Sequence, residues 1–264
     1  MLLAWPDVQP AAVVPLRMTR GGQPVPAVLA CVHQDAAVTL AAGAQTLLHP
    51  NERARLDAFP SELRRLSFLL GRYAAKRAVG ALRDGVVPHR LEIAAGVFGQ
   101  PVVRGAADPP AVSLSHTSEV GVAVACEPEH ILGVDVEDVG PRPDDVFESA
   151  LAPAERAAAR AAVGSATLAA GLVWALKEAL SKALRCGLTA PFDVLRTEAI
   201  QPVGGGGVHC EFGNFRQYRG RAWPVGGQVL ALVWPKRSEL GFHPAASPDV
   251  CRVLGRGTGP AGAG

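Results

Sequence analysis

Trp174-Ala175-Leu176-Lys177-Glu178-Ala179-Leu180-Ser181-Lys182-Ala183-Leu184 decides how this 264-residue chain is read. Ala, Leu, Lys and Glu are strong helix formers, so local propensity favours a helix here. Leu176, Leu180 and Leu184 recur every fourth position as an apolar stripe, with Trp174 and Ala183 beside it. Gly187 is the predicted helix stop, and Pro191 blocks continuation. Glu178 and Lys182 share one face. Lys177 lies about a hundred degrees round from Glu178 and reaches a different neighbour. As a surface pair, Glu178 and Lys182 would contribute about 0.2–0.5 kcal/mol. As part of a site, they set a carboxylate and an ammonium one turn apart.

A second acidic segment lies upstream. Residues 131–139, I-L-G-V-D-V-E-D-V, alternate apolar and acidic side chains with the period of a half-exposed strand. Asp135 and Glu137 then project from one face, while Val134 and Val136 point to the other. Two carboxylates about 6–7 Å apart along a strand repel unless positive charge sits between them. Carboxylate oxygens are what a hard divalent cation such as Mg²⁺ prefers. A lone D-x-E pair often just faces water, but a third carboxylate on a nearby helix, with a lysine one turn on, is a stronger signal.

Composition narrows the function classes. Lys+Arg 26 against Asp+Glu 24 leaves a net charge of +2, without the concentrated basic face that duplex nucleic acid requires. Aromatic residues make up only 5%, too few for single-strand stacking platforms. Five scattered cysteines form no zinc-type cluster, and reduced thiols in a cytoplasmic protein are the expectation. The first residues lack a basic segment ahead of Pro6, Asp7 and Pro10, unlike a secretory signal. The longest uncharged helical run, residues 164–176, falls short of the ~20 residues of a membrane span. A soluble cytoplasmic monomer with neither nucleic acid nor membrane as partner is expected.

Elsewhere along the chain, residues 25–32 and 36–40 read as strands. Pro50 marks the first turn of a helix, and a long helix follows over residues 61–82, with Arg72 and Lys76 on its polar side. Residues 111–125 read as a hairpin with His116 at its tip, as a turn residue or as a phosphate donor beside Ser115. Further strands are expected at 192–199, 209–215 and 228–234. An internal similarity runs through these elements: L-H-P-N-E-R (48–53) resembles L-A-P-A-E-R (151–156), and R-Y-A-A-K (72–76) resembles E-A-L-S-K (178–182). The expected architecture is therefore α+β, two similar halves related by a pseudo-twofold, each a long helix on a small, mainly antiparallel sheet. Residues 1–128 form the first half, 129–245 the second, and 246–264 a disordered tail. Arg72 and Lys76 would then face Glu178 and Lys182 across a cleft suited to a phosphate-rich ligand bridged by metal.

S-L-S-H-T (113–117), G-V-D-V-E (133–137) and W-A-L-K-E-A-L-S-K-A (174–183) occur in that order, supported by P-N-E-R (50–53), L-L-G-R (69–72) and F-G-Q-P (98–101). Together they resemble the 4′-phosphopantetheinyl transferases, in the larger, pseudo-dimeric type that activates peptide and polyketide synthases. The resemblance implies transfer of the phosphopantetheine arm of coenzyme A to a serine of an apo acyl or peptidyl carrier protein, releasing 3′,5′-ADP. It implies Asp135, Glu137 and Glu178 as Mg²⁺ ligands, and Lys182 as the lysine near the pyrophosphate that assists proton transfer. Ser115, His116 and Arg53 match contacts to the coenzyme's phosphates, with Arg72, Lys76 and Lys177 as further candidates. Some positions depart from the pattern. Gln100 stands where lysine or arginine is common, Ser113 replaces a frequent asparagine, Thr117 a frequent serine, and R-C-G-L (185–188) a glycine-richer turn.

The chemistry suits these residues. A serine hydroxyl attacking a pyrophosphate must lose a proton while charge builds on the leaving phosphate, and carboxylate-held Mg²⁺ would neutralise that charge. Glu178 can ligate metal and also take the serine proton, directly or through water. A Mg²⁺-dependent phosphodiesterase or nucleotidyl transferase draws on the same carboxylates, and an inactive carrier-binding relative would need none of them.

Overall fold

The computed structural model describes residues 5, 8–139 and 151–255. Its elements run β1 (Ala11–Pro15), β2 (Met18–Arg20), β3 (Gln23–Val25), β4 (Ala27–His33), α1 (Ala37–Ala42), α2 (Ala44–Leu47), α3 (Pro50–Asp57), α4 (Glu62–Leu82), β5 (Glu92–Ala95), β6 (Pro101–Arg104), β7 (Ala111–His116) and β8 (Val120–Cys126). After the crossing at residues 127–132 come β9 (Gly133–Asp138), α5 (Pro153–Val163), α6 (Ala166–Ala183), β10 (Thr197–Val203), β11 (Gly207–Phe212), β12 (Tyr218–Val225), β13 (Gln228–Pro235), β14 (Ser238–Leu240) and α7 (Pro248–Leu254). The strands pair antiparallel in the orders β1-β4-β8-β7, β10-β11-β12-β13-β9, β14-β2-β3 and β5-β6. The class is α+β.

Period-two alternation sorts the strand side chains into layers. Leu29 and Cys31 of β4, Val122 and Val124 of β8, Val134 and Val136 of β9, and Leu230 and Leu232 of β13 meet in a core shared by the two large sheets. The intervening small residues, such as Ala30, Ala123 and Ala125, lie under α4. Ala222, Val229, Ala231 and Val233 lie under α6. One glycine sets how closely a helix can approach. A Cβ on Gly133 would stand 1.8 Å from the Ala179 carbonyl oxygen, so α6 rests directly on the first residue of β9.

The same order of elements occurs twice. Among the described residues a strand, two helices and four strands recur in the same order, as β4-α3-α4-β5-β6-β7-β8, with α1 and α2 added between β4 and α3, and as β9-α5-α6-β10-β11-β12-β13. In each set the first strand pairs with the last, and the last with the one before it. Each first helix opens on Pro with Glu at its third position, and that Glu is buried and turned back onto the chain. Glu52 accepts from the His49 and Ile93 backbone N–H groups, both at 2.9 Å. Glu155 accepts from those of Ala152 at 2.8 Å and Thr197 at 2.7 Å. A fully buried lysine on the long helix completes each arrangement: Lys76 Nζ lies 2.6 Å from Glu52, and Lys177 Nζ 2.7 Å from Glu155.

This pairing corrects three expectations. Lys76 corresponds to Lys177 and not to Lys182, so Arg72 and Lys76 are not the counterparts of Glu178 and Lys182. Neither Lys76 nor Lys177 is offered to a ligand. Lys76 also donates to the carbonyls of Leu47, Pro88 and Leu91, and Lys177 to that of Phe192. Residues 37–42 are helical instead of forming a strand, burying Leu40 against the rest of the first half.

The C-terminal boundary also differs from expectation. Residues 246–254 are not a tail: α7 buries Val250, Val253 and Leu254 in the shared core, and β14 pairs with β2 of the first half. Residues 256–264 lie outside the described residues. Among the described residues, no single helix is long and apolar enough to cross a membrane.

Removing one partner of a buried ion pair leaves an uncompensated charge, at a cost of about 3–5 kcal/mol, whereas replacing both with apolar groups is far milder. Lys177→Met should therefore lower the melting temperature sharply, and the double variant Lys177→Met/Glu155→Gln, which removes the stranded charge but keeps an acceptor oxygen for Thr197, should recover part of the loss. Equal melting of wild type and Lys177→Met would remove the structural role.

Candidate active site

The two halves meet where β7 runs beside β9. Ser113 and Ser115, two apart on β7, share a face, and each reaches across the seam. Ser113 Oγ accepts from the Val134 backbone N–H at 3.1 Å, and Ser115 Oγ donates to Asp135 Oδ1 at 2.7 Å. Lys182, near the end of α6, donates to Ser115 Oγ at 2.8 Å and to Asp135 Oδ1 at 2.5 Å. One ammonium thus ties a strand of the first half to a strand and a helix of the second.

Asp135 is 1% exposed, and its second oxygen, Oδ2, has no hydrogen-bond partner. Glu137, two residues on and on the same face, accepts from Trp174 Nε1 at 3.1 Å. Glu178 is 8% exposed. Burial pushes its carboxyl up to about 7, and the charges of Asp135 and Glu137 add to the shift while Lys182 opposes it. Among the described residues, no three acidic, histidine or cysteine side chains already close on one point as metal ligands. In chemistry the set does suit a hard cation: all donors are carboxylate oxygens, one of them buried and unsatisfied, and Glu178 is raised by burial and then by the neighbouring negative charge.

A cleft of about 260 Å³ opens beside Lys182. Arg55 and Arg72 line it from the first half, and Lys182 and Arg185 from the second, with no carboxylate among the lining residues. Gln100 and Phe98 of the β5–β6 turn form its rim. The Arg72 guanidinium lies 4.4 Å over the Phe68 ring and 3.4 Å from Glu52, yet its Nε–H is buried without a hydrogen-bond acceptor. Burial lowers Arg72 to about 10, so it remains cationic at neutral pH. His116 closes β7 against α4, where a Cβ on Gly71 would stand 3.3 Å from its ring. Desolvation, then the charges of Lys182 and Arg72, lower its pKa and favour the neutral imidazole.

The expected site residues therefore divide. Ser115, Asp135, Glu178 and Lys182 come together, Glu137 shares their face, and Arg72 lines the cleft, while His116 packs against Gly71 of α4 and is not among the cleft's lining residues. Arg53 does not line it, because its guanidinium donates to the carbonyls of Gln45 and Leu48. Two cations were not foreseen. Arg55 belongs to the same helix as Arg53 but emerges at the cleft. Arg185 follows α6, which ends at Ala183 with Leu184 as its cap, before the expected stop at Gly187. Its signal in the sequence was the departure of R-C-G-L from a glycine-richer turn.

Residues 131–233, which hold β9, α6 and the strands β10 to β13, match the family model described as the 4′-phosphopantetheinyl transferase superfamily. No curated protein matches the chain. Among solved structures, a holo-(acyl-carrier-protein) synthase from Bacillus anthracis str. Ames in complex with CoA (3′,5′-ADP) is similar at 20% identity and a TM-score of 0.35, over 44% of this chain and 96% of that one.

The raised carboxyl makes a thermodynamic prediction for metal-free protein. Glu178 folds with a pKa of about 7 against an ordinary 4.5. Between these values the folded state keeps a proton that the unfolded chain has lost. Stability should then fall as pH rises through this window and level off above it. Glu178→Gln should flatten that slope, melting above wild type at pH 8 and close to it at pH 4, in EDTA. Parallel pH profiles for the two proteins would contradict the placement of Glu178.

Proposed function

We propose that the protein transfers the 4′-phosphopantetheine group of coenzyme A to a serine of an apo acyl or peptidyl carrier protein, with Mg²⁺, releasing 3′,5′-ADP. It would do so as a member of the larger type with two halves in one chain. The observation that carries this reading is the meeting of Ser115, Asp135, Glu178 and Lys182 at a seam whose adjoining cleft is lined by four cations and no anion. A ligand with several phosphates suits that lining. One chain supplies both walls, so a monomer suffices. The five free thiols suit a reducing, cytoplasmic setting.

Asp135, Glu137 and Glu178 would hold the metal, which would neutralise charge growing on the leaving phosphate. The chain's own groups perform the remaining tasks. Arg72 and Arg55 bind the nucleotide's phosphates from the first half, through charge-assisted hydrogen bonds. Lys182 keeps a positive charge fixed at the mouth of the cleft, held in place by Ser115 and Asp135. That preorganisation favours the more negative transition state without reorganisation at the moment of reaction. Glu178, whose carboxylate also faces the seam, can take the serine proton directly or through water.

The test is incubation with Mg²⁺, coenzyme A and apo carrier proteins, followed by intact mass of the carrier and release of 3′,5′-ADP. The expected result is a carrier heavier by one phosphopantetheine. Cleavage of coenzyme A or of nucleotides without carrier modification would favour a phosphodiesterase and overturn the reading. Lys182→Ala should lower turnover by roughly a hundred- to a thousandfold, as removal of a preorganised donor does, while Asp135→Ala should abolish it. Retention of more than about a tenth of wild-type turnover by Lys182→Ala would sink the role assigned to Lys182, since a lost preorganised donor costs far more.

A further inference from the structure

The turn that ends α6 is a Schellman motif. The Cys186 N–H donates to the Ser181 carbonyl at 3.1 Å, and the Arg185 N–H to that of Lys182 at 3.1 Å. Arg185 therefore occupies the position after the cap, with φ of 58°, in the left-handed region that glycine adopts without penalty and a long side chain does not. Glycine would be the stabilising residue here. An arginine carried in a strained conformation directs attention to its side chain, since such strain persists where surrounding structure or function sustains it.

That side chain lies in the cleft wall, across from Arg55 and Arg72. The residue is exposed, and among the described residues its guanidinium has no hydrogen-bond or ion-pair partner. Its neighbour Lys182 is committed to Ser115 and Asp135. Gln100, on the same cleft, brings no charge. The cleft also adjoins the carbonyl end of α6, whose dipole repels anions. A cation one residue beyond the cap offsets that repulsion, and the guanidinium fork matches two phosphate oxygens.

We propose that Arg185 is a phosphate-binding residue that closes the cleft from α6, so that the nucleotide part of coenzyme A is clamped between it and Arg72 with Arg55. This rests on the transferase reading above, and it adds a cation in a turn where the family resemblance led to more glycine.

The experiment is calorimetric titration of the full chain with coenzyme A and with 3′,5′-ADP, for wild type, Arg185→Gly, Arg185→Ala and Arg185→Lys. Gly and Ala variants should both bind roughly tenfold or more weakly, the loss expected for a charge-assisted hydrogen bond, with Lys in between. The KM for coenzyme A should rise in step while kcat stays within about threefold, because binding shared by ground and transition states is what is lost. Arg185→Gly should melt higher than Arg185→Ala, since only the former relieves the backbone. If wild type binds either ligand and Arg185→Gly binds it within about twofold of wild type, the proposal falls and the transferase reading stands. A fall in kcat at unchanged KM would overturn it as well. If wild type binds neither ligand, the transferase reading fails and takes this proposal with it.

Discussion

The arrangement depends first on two buried charge pairs, Glu52 with Lys76 and Glu155 with Lys177. Each glutamate ties its own helix start to the long helix that follows and to the strand after that, Ile93 in one half and Thr197 in the other. A buried charge is tolerable only when paired and fully hydrogen-bonded, so these contacts permit little variation in geometry. With α4 and α6 fixed in this way on their sheets, β7 and β9 come side by side. The seam between them then brings Ser115, Asp135 and Lys182 into contact.

Charge is distributed unevenly around that seam. On the β9 side stand three carboxylates, one with an unsatisfied oxygen and one whose acidity burial and its neighbours have weakened to about 7. On the cleft side stand four cations. Lys182 belongs to both, and this gives it more than the few tenths of a kcal/mol of a helix-surface pair. A polyanionic ligand entering the cleft would meet cations from both halves, and its far end would come to the carboxylates.

Much of this was legible in the sequence, for reasons that can be traced to particular residues. The alternation of residues 133–137 places Asp135 and Glu137 on one face because a strand leaves no choice. The apolar stripe of α6 likewise sets which side of the helix is buried. The fates of Lys76 and Lys177 were not legible. A lysine in an alanine-rich helix reads as polar, and only its partner, a glutamate far away in sequence, makes burial possible. Both glutamates belong to the repeated L-x-P-x-E-R segment, but the likeness of R-Y-A-A-K to E-A-L-S-K matches Lys76 with Lys182, whereas the buried pairs match it with Lys177. Arg53 and Arg55 are separated by two positions on one short helix, and which of them meets the cleft depends on the helix's rotation about its axis. The C-terminal helix has a weak sequence signal, because its apolar residues, Val250, Val253 and Leu254, are few and are followed by a glycine-rich end.

The central claim is that the seam between the halves is a single substrate site with walls from both. Hydrogen exchange of the backbone amides, with and without saturating coenzyme A, tests it most directly. The account predicts protection at β7 and the β5–β6 turn from the first half and, together with these, at residues 182–187 from the second. Protection confined to one half, or found elsewhere with these segments unchanged, would contradict it.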